Sequence, residues 1–205
     1  MNVGMCGKKR LKSKGLVDSN AVLEMFFTIA QQIDRWLFYA VNHGWSNVVF
    51  DWLFVAITTT RHWYPVWAVM LVWLVWKGGR GGRWCAATLV VLIALLDPLS
   101  HHFLKETVHR LRPFAILPDA IQLVGTGGGS FPSNHAMNNA AMSTVLWAYY
   151  PRLRWLFVTV VVLVCISRVY CGVHWPSDVV AGAAIGVLAG LGMVSFTRWW
   201  KGVPE

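Results

Sequence analysis

The chain of 205 residues is 56% hydrophobic and only 13% charged, with a mean hydropathy of +0.50. A soluble domain carries about 25% charged residues, so this sequence cannot coat a water-facing surface, and its apolar content equally excludes a disordered chain. The net charge of +9 lies in short clusters beside apolar runs (Lys8–Lys14, Lys77–Arg83, Arg152 and Arg154, Arg198 and Lys201), a pattern that marks membrane topology, and no nucleic-acid partner is expected.

Residues 1–20 are polar and basic and are read as a cytoplasmic tail. No clean apolar segment with a small-residue cleavage site follows, so no cleaved signal peptide is expected. Residues 21–42 are amphipathic, interrupted by Glu24, Gln31, Gln32, Asp34 and Arg35; they either span or lie in the interface. Residues 47–77 are apolar apart from Thr58–His62. As one helix they would reach about 46 Å, too long for an upright span, so a tilt, a break or a helix extending past the bilayer is expected there. Residues 84–104, 136–150, 154–171 and 179–200 are four further apolar runs. The reading is an all-α, polytopic membrane helix bundle of about six transmembrane helices, with residues 21–205 as one domain. Thirteen tryptophans, among them Trp63, Trp76, Trp84, Trp147, Trp155, Trp175, Trp199 and Trp200, read as interfacial belts. Cys6, Cys85, Cys165 and Cys171 show no metal spacing and are expected to be unpaired.

Placing the basic tail inside puts the connections at Lys77–Arg83 and Arg152–Arg154, and the C-terminal Arg198 and Lys201, inside as well. Both termini are then cytoplasmic. The long loop 105–134, with its GTGGGS run at Gly125–Ser130, and the turn Tyr170–Asp178 then meet on the outer face.

Three polar islands lie at that face: Lys105 to Pro113, Phe131 to His135, and Ser167 to Asp178. Lys105, Arg112 and Arg168 bring three cations together, and a phosphate is the anion such a group suits. Ser133 or Asn134 is a good N-cap ahead of the next apolar run, and a helix N-terminus offers free N–H groups to an anion. The glycine run lacks the Gly-Lys-Ser/Thr ending of a nucleotide loop and reads as a flexible connection. His174 and Asp178 are four apart, a spacing at which a carboxylate can fix the imidazole tautomer and leave the other nitrogen free to attack. A second histidine, His135, could protonate a departing oxygen. His135, His174 and Asp178 could alternatively hold a metal, but three neighbouring cations argue against a divalent ion; no metal and no cofactor is expected. Asp97, inside a span, should face a partner or water.

Together, Lys105 with Arg112-Pro113, Pro132-Ser133-Asn134-His135, and Ser167-Arg168 with His174 and Asp178 resemble the tripartite signature of type 2 phosphatidic acid phosphatases (PAP2), with matching order and internal spacing, over roughly residues 50–195. The family more often carries Gly at the position of Asn134. The resemblance implies a six-helix integral membrane lipid phosphatase that works without a metal. It implies His174 as the nucleophile that forms a phosphohistidine, Asp178 orienting it and His135 protonating the leaving group. Lys105, Arg112, Ser133, Asn134 through its backbone N–H, and Arg168 would hold the phosphate.

The expected partners are a lipid phosphate and the bilayer of a bacterial inner membrane. Small size and short loops favour undecaprenyl diphosphate, with phosphatidylglycerophosphate, phosphatidate and the 1-phosphate of lipid A as rivals. A lipid phosphotransferase or an anion transporter are the readings from other classes.

Overall fold

The computed structural model describes residues 19–200. Most of the basic tail, Cys6 and Lys201 lie outside the described residues. By contact the chain divides after Ile33; the first unit is described over residues 19–33, which form the N-terminal part of helix α1 (Ser19–Asn42). The second unit is described over residues 34–200 and carries the rest of the fold.

Helix α2 (Val48–Thr58) begins at Asn47, whose side chain accepts the Phe50 N–H at 3.0 Å. It stops where Thr59 takes an extended conformation, and α3 (Thr60–Trp76) follows at once. Of the three outcomes expected for the long run 47–77, the chain takes the break, and it falls within the polar interruption at Thr58–His62. Helix α4 (Gly79–Leu99) runs on through a π-helical turn (Ser100–Leu104) into the short α5 (Lys105–Val108), which ends at His109 with φ 47°. The loop beyond contains only the single-turn α6 (Pro113–Ile116). Helices α7 (Asn134–Tyr149), α8 (Arg154–Tyr170) and α9 (Pro176–Trp200) complete the fold, and no strand occurs among the described residues. Three segments are long and apolar enough to cross a membrane: Gly79–Leu99, Pro151–Tyr170 and Pro176–Trp200. Their outward positions, such as Val90, Leu95, Val162, Val180 and Leu188, are exposed hydrophobics of the kind lipid covers.

Helices α7 and α9 pack against each other along Gly182, Gly186 and Gly190. A Cβ at these positions would collide with the carbonyl oxygens of Ser133, Met137 and Ala141 respectively. Small residues at this four-residue spacing let two backbones touch, the usual solution where no hydrophobic force drives helices together in lipid. Leu89, Leu92 and Leu96 of α4 close one side with Met137, Val145 and Val194. Phe38 of α1 packs with Ala136, Val169, Trp175 and Val179 on another. Trp175 departs from the expected interfacial belt: it is buried, and its Nε1–H donates to the Leu111 carbonyl at 3.0 Å.

Candidate active site

All eight residues singled out in the three islands meet at one end of α7, α8 and α9. Ser133 caps α7, its hydroxyl accepting the Ala136 N–H, while its own N–H donates to the Asp178 carbonyl at 3.1 Å. The close α7–α9 seam therefore ties the second island to the third. Arg168 stands in the last turn of α8, and Gly172 then turns the chain with φ +77°, its α-carbon so close to the Ile121 carbonyl that a side chain would collide with it. That turn aims His174 back beneath Arg112. Asp178 follows one turn into α9, with its Oδ2 3.6 Å from His174 Nδ1.

Arg112 donates from Nε to Gly128 O (3.0 Å) and from Nη2 to Gly127 O (2.9 Å) and Gly129 O (3.0 Å). Its Nη1 donates to Val173 O (2.8 Å) and approaches His174 Nε2 at 3.2 Å. That is one partner for each of the five N–H groups of a guanidinium, which has no acceptor. Nε2 must therefore present its lone pair, and in a neutral imidazole the proton then sits on Nδ1, facing Asp178. The glycine run is a cradle of carbonyls around Arg112, which corrects its reading as a merely flexible connection.

The other two cations are differently held. Arg168, 4% exposed, donates from Nη1 to Thr58 Oγ1 at 2.5 Å, and its Nε–H is buried without a partner. Lys105 is buried, and its ammonium makes no hydrogen bond or ion pair among the described residues. Burial, then the charges of Arg112 and Arg168, pull its ammonium down to about 8. Burial likewise pulls the His174 imidazole down to about 4, against the opposing pull of Asp178. His135 begins α7 with its Nε2 3.0 Å from Thr60 Oγ1, close enough to Arg168, His174 and Lys105 for their charges to act on it. Asn134 is buried, with its Oδ1 accepting from Ser100 Oγ at 2.6 Å.

Sequence reasoning overlooked the group that holds Asp178. Arg110 Nη1 donates to Asp178 Oδ1 at 2.6 Å and its Nη2 to Asp34 Oδ2 at 2.6 Å. Ser130 Oγ and the Trp175 N–H both donate to Asp178 Oδ2. Asp34 in turn accepts from the Ser177 N–H at 2.8 Å and the Ser177 hydroxyl at 2.5 Å. The available signal was Asp34 itself, a carboxylate inside an apolar helix, which needs a partner. The ion pairs found thus join Arg110 to Asp34 and Asp178, and His174 to Asp178; none reaches Lys105, Arg112 or Arg168. Three buried cations make no ion pair among the described residues, two of them have unmet donors, and beside them the Nε2 lone pair of His174 is met only by Arg112; such a group suits a dense anion.

Such a bundle and such a site define an integral membrane protein built to hold a phosphate at the end of its helices. The chain belongs to the PAP2 superfamily, whose family model matches residues 85–201. It is 33% identical to a lipid A 4'-phosphatase of Bacteroides thetaiotaomicron over 168 residues, 77% of this chain and 74% of that protein. It is 32% identical to an undecaprenyl-diphosphatase of Sulfolobus acidocaldarius over 126 residues, 60% of this chain and 58% of that one. Among solved structures, it is similar to the PAP2-type phosphatidylglycerolphosphate phosphatase of Bacillus subtilis, with a TM-score of 0.66 at 25% identity, covering 87% of this chain and 95% of that one. The protein is a PAP2 membrane lipid phosphatase.

Proposed function

We propose that the protein removes a phosphate or diphosphate headgroup from a membrane lipid through a phosphohistidine on His174, without a metal. The observation that carries this reading is the pairing of a buried His174 Nε2 with three buried cations that make no ion pair among the described residues. Nε2 attacks phosphorus while the bond from phosphorus to the lipid oxygen breaks. His135 delivers a proton to that oxygen. Asp178, held by Arg110, Ser130 and the Trp175 N–H, accepts from Nδ1 and stabilises the positive imidazole that forms. The 3.6 Å separation shortens as that charge develops, as such contacts do on reaching the reacting complex. Lys105, Arg168 Nε and the first N–H groups of α7, at Asn134 after the Ser133 cap, stabilise the phosphoryl oxygens. Arg112 turns its Nη1 N–H from Nε2 to a phosphoryl oxygen as phosphate arrives, which frees the lone pair for attack. Water, activated by His135, then splits the P–N bond and releases phosphate.

The active site faces the outer side of a bacterial inner membrane, with both termini cytoplasmic; the alternation of basic connections supports this. Undecaprenyl diphosphate, phosphatidylglycerophosphate, phosphatidate and the phosphates of lipid A all present the required chemistry. The reading is tested with purified wild-type protein and His174→Ala on these lipids. Phosphate release should disappear in His174→Ala while the helical circular dichroism stays unchanged, vanadate should inhibit the wild type and EDTA should not. Retained turnover in His174→Ala, or strict dependence on a divalent ion, overturns it.

A further inference from the structure

A cavity of about 700 Å3 opens between α3, α4 and α7, with His135 in its wall. Two turns along α7 from His135 the lining is apolar, with Met70, Leu71, Leu89 and Met142. Beside His135 it turns polar. Asp97 Oδ1 accepts from Asn138 Nδ2 at 3.0 Å and from Asn134 Nδ2 at 3.3 Å. Both amides thus turn their nitrogens toward the carboxylate and their oxygens away. The Asn134 oxygen takes the Ser100 hydroxyl, but Asn138 Oδ1 is buried with no partner, and no hydrogen bond reaches Asp97 Oδ2 among the described residues. The unmet capacity of this wall is therefore all acceptor. A carboxylate within a span persists where something faces it, and the amides satisfy one oxygen of two.

We propose that Asp97 and Asn138 form a subsite for a hydroxyl or amide N–H carried by the lipid a few bonds from its phosphate. The enzyme then prefers lipid phosphates with such a donor to those without one. This rests on the lipid phosphatase reading of the same site and moves the preference away from undecaprenyl diphosphate, whose prenyl chain presents only C–H groups to the wall. A site built to hydrogen-bond a donor discriminates strongly against an analogue that lacks it, because its own polar groups are left unpaired.

The test uses the purified full-length protein and four lipids. Phosphatidylglycerophosphate carries a free glycerol hydroxyl, and a phosphorylated N-acylglucosamine lipid carries amide N–H and hydroxyl groups. Phosphatidate and undecaprenyl phosphate carry no donor outside the phosphate. The kcat/KM ratio of the donor-bearing to the donor-free pair should exceed about tenfold in the wild type and fall to within about twofold in Asp97→Leu and Asn138→Leu. A ratio is read because a general loss of folding cancels from it. A wild-type ratio near one, or a ratio that neither variant changes, overturns the subsite; the two donor-bearing lipids separate a sugar from a glycerol source. Binding of the same lipids to His174→Ala, by displacement of a fluorescent lipid, reads the preference without turnover. Phosphate release without preference removes the subsite and leaves the phosphatase reading. Preference in binding with no phosphate released from any lipid removes the phosphatase reading and leaves the subsite.

Discussion

At the scale of single residues, the proposed mechanism separates groups that would meet the phosphate from groups that hold them. Arg110 belongs to the second kind, since its guanidinium is committed to Asp178, Asp34 and Ser177. Removing it leaves Asp178 with one oxygen unpaired in a buried position. Hydrogen bonds to charged groups contribute about 1.5–3 kcal/mol, so Arg110→Gln should lower kcat about tenfold to a hundredfold with a smaller change in KM, measured by steady-state phosphate release. A KM effect alone would place Arg110 on the phosphate instead. In the proposed mechanism Lys105 sets the alkaline limit. Its ammonium is lowered to about 8 by burial and by Arg112 and Arg168. It is charged below that pH and neutral above it, so attraction for the phosphate is lost as pH rises through it. The kcat/KM profile should decline above about pH 8, and Lys105→Arg should move that limb upward; a limb that stays put assigns it to another group. His174, the proposed nucleophile, is lowered to about 4 and so stays neutral down to mildly acidic pH. The residue types and spacings made His135, His174, Asp178 and the three cations legible beforehand. The partners of Arg110 were not, because Asp34 lies 76 positions away and nothing local announces the pair.

At the scale of elements, the α7–α9 seam carries the geometry. Gly186 sits in the middle of α9, and an added Cβ would meet the Met137 backbone of α7, which cannot yield as a side-chain tip can. Overpacking of this kind costs about 1–3 kcal/mol. Gly186→Ala should lower the thermal midpoint in detergent and reduce activity, whereas Gly192→Ala, with open space around the new methyl, should not destabilise. Equal behaviour of the two would dismiss the seam as the determinant. Helix limits were readable from hydropathy to within a few residues: the expected runs 154–171 and 179–200 correspond to Arg154–Tyr170 and Pro176–Trp200, with Pro176 at the first turn supplying the start. The use of Gly127, Gly128 and Gly129 as a carbonyl cradle was not readable, since a glycine run says that backbone can approach, not what it approaches.

At the scale of the whole molecule, charge alternation predicts the side on which the site lies. Gln122→Cys, exposed on the 105–134 loop, and Arg80→Cys, exposed at the start of α4, should differ in reaction with a membrane-impermeant maleimide on intact cells, the first labelling and the second not. The reverse pattern would invert the topology. The apolar cavity beside His135 and the polar islands at the helix ends suit a lipid whose phosphate reaches the cations while its chain stays among α3, α4 and α7.

Composition alone settled that this chain lives in a membrane as helices, because too little charge and runs of apolar residues leave backbone groups no partner but their own helix. Motif order and spacing pointed to phosphate chemistry, since cations, imidazoles and a carboxylate keep their properties wherever they are placed. Which nitrogen of His174 presents its lone pair, which arginine holds Asp178, and what the carboxylate near the C-terminal end of α4 faces were decided only by the folded chain. Each depends on atoms tens of residues apart being brought within about 3 Å, the range over which a hydrogen bond acts.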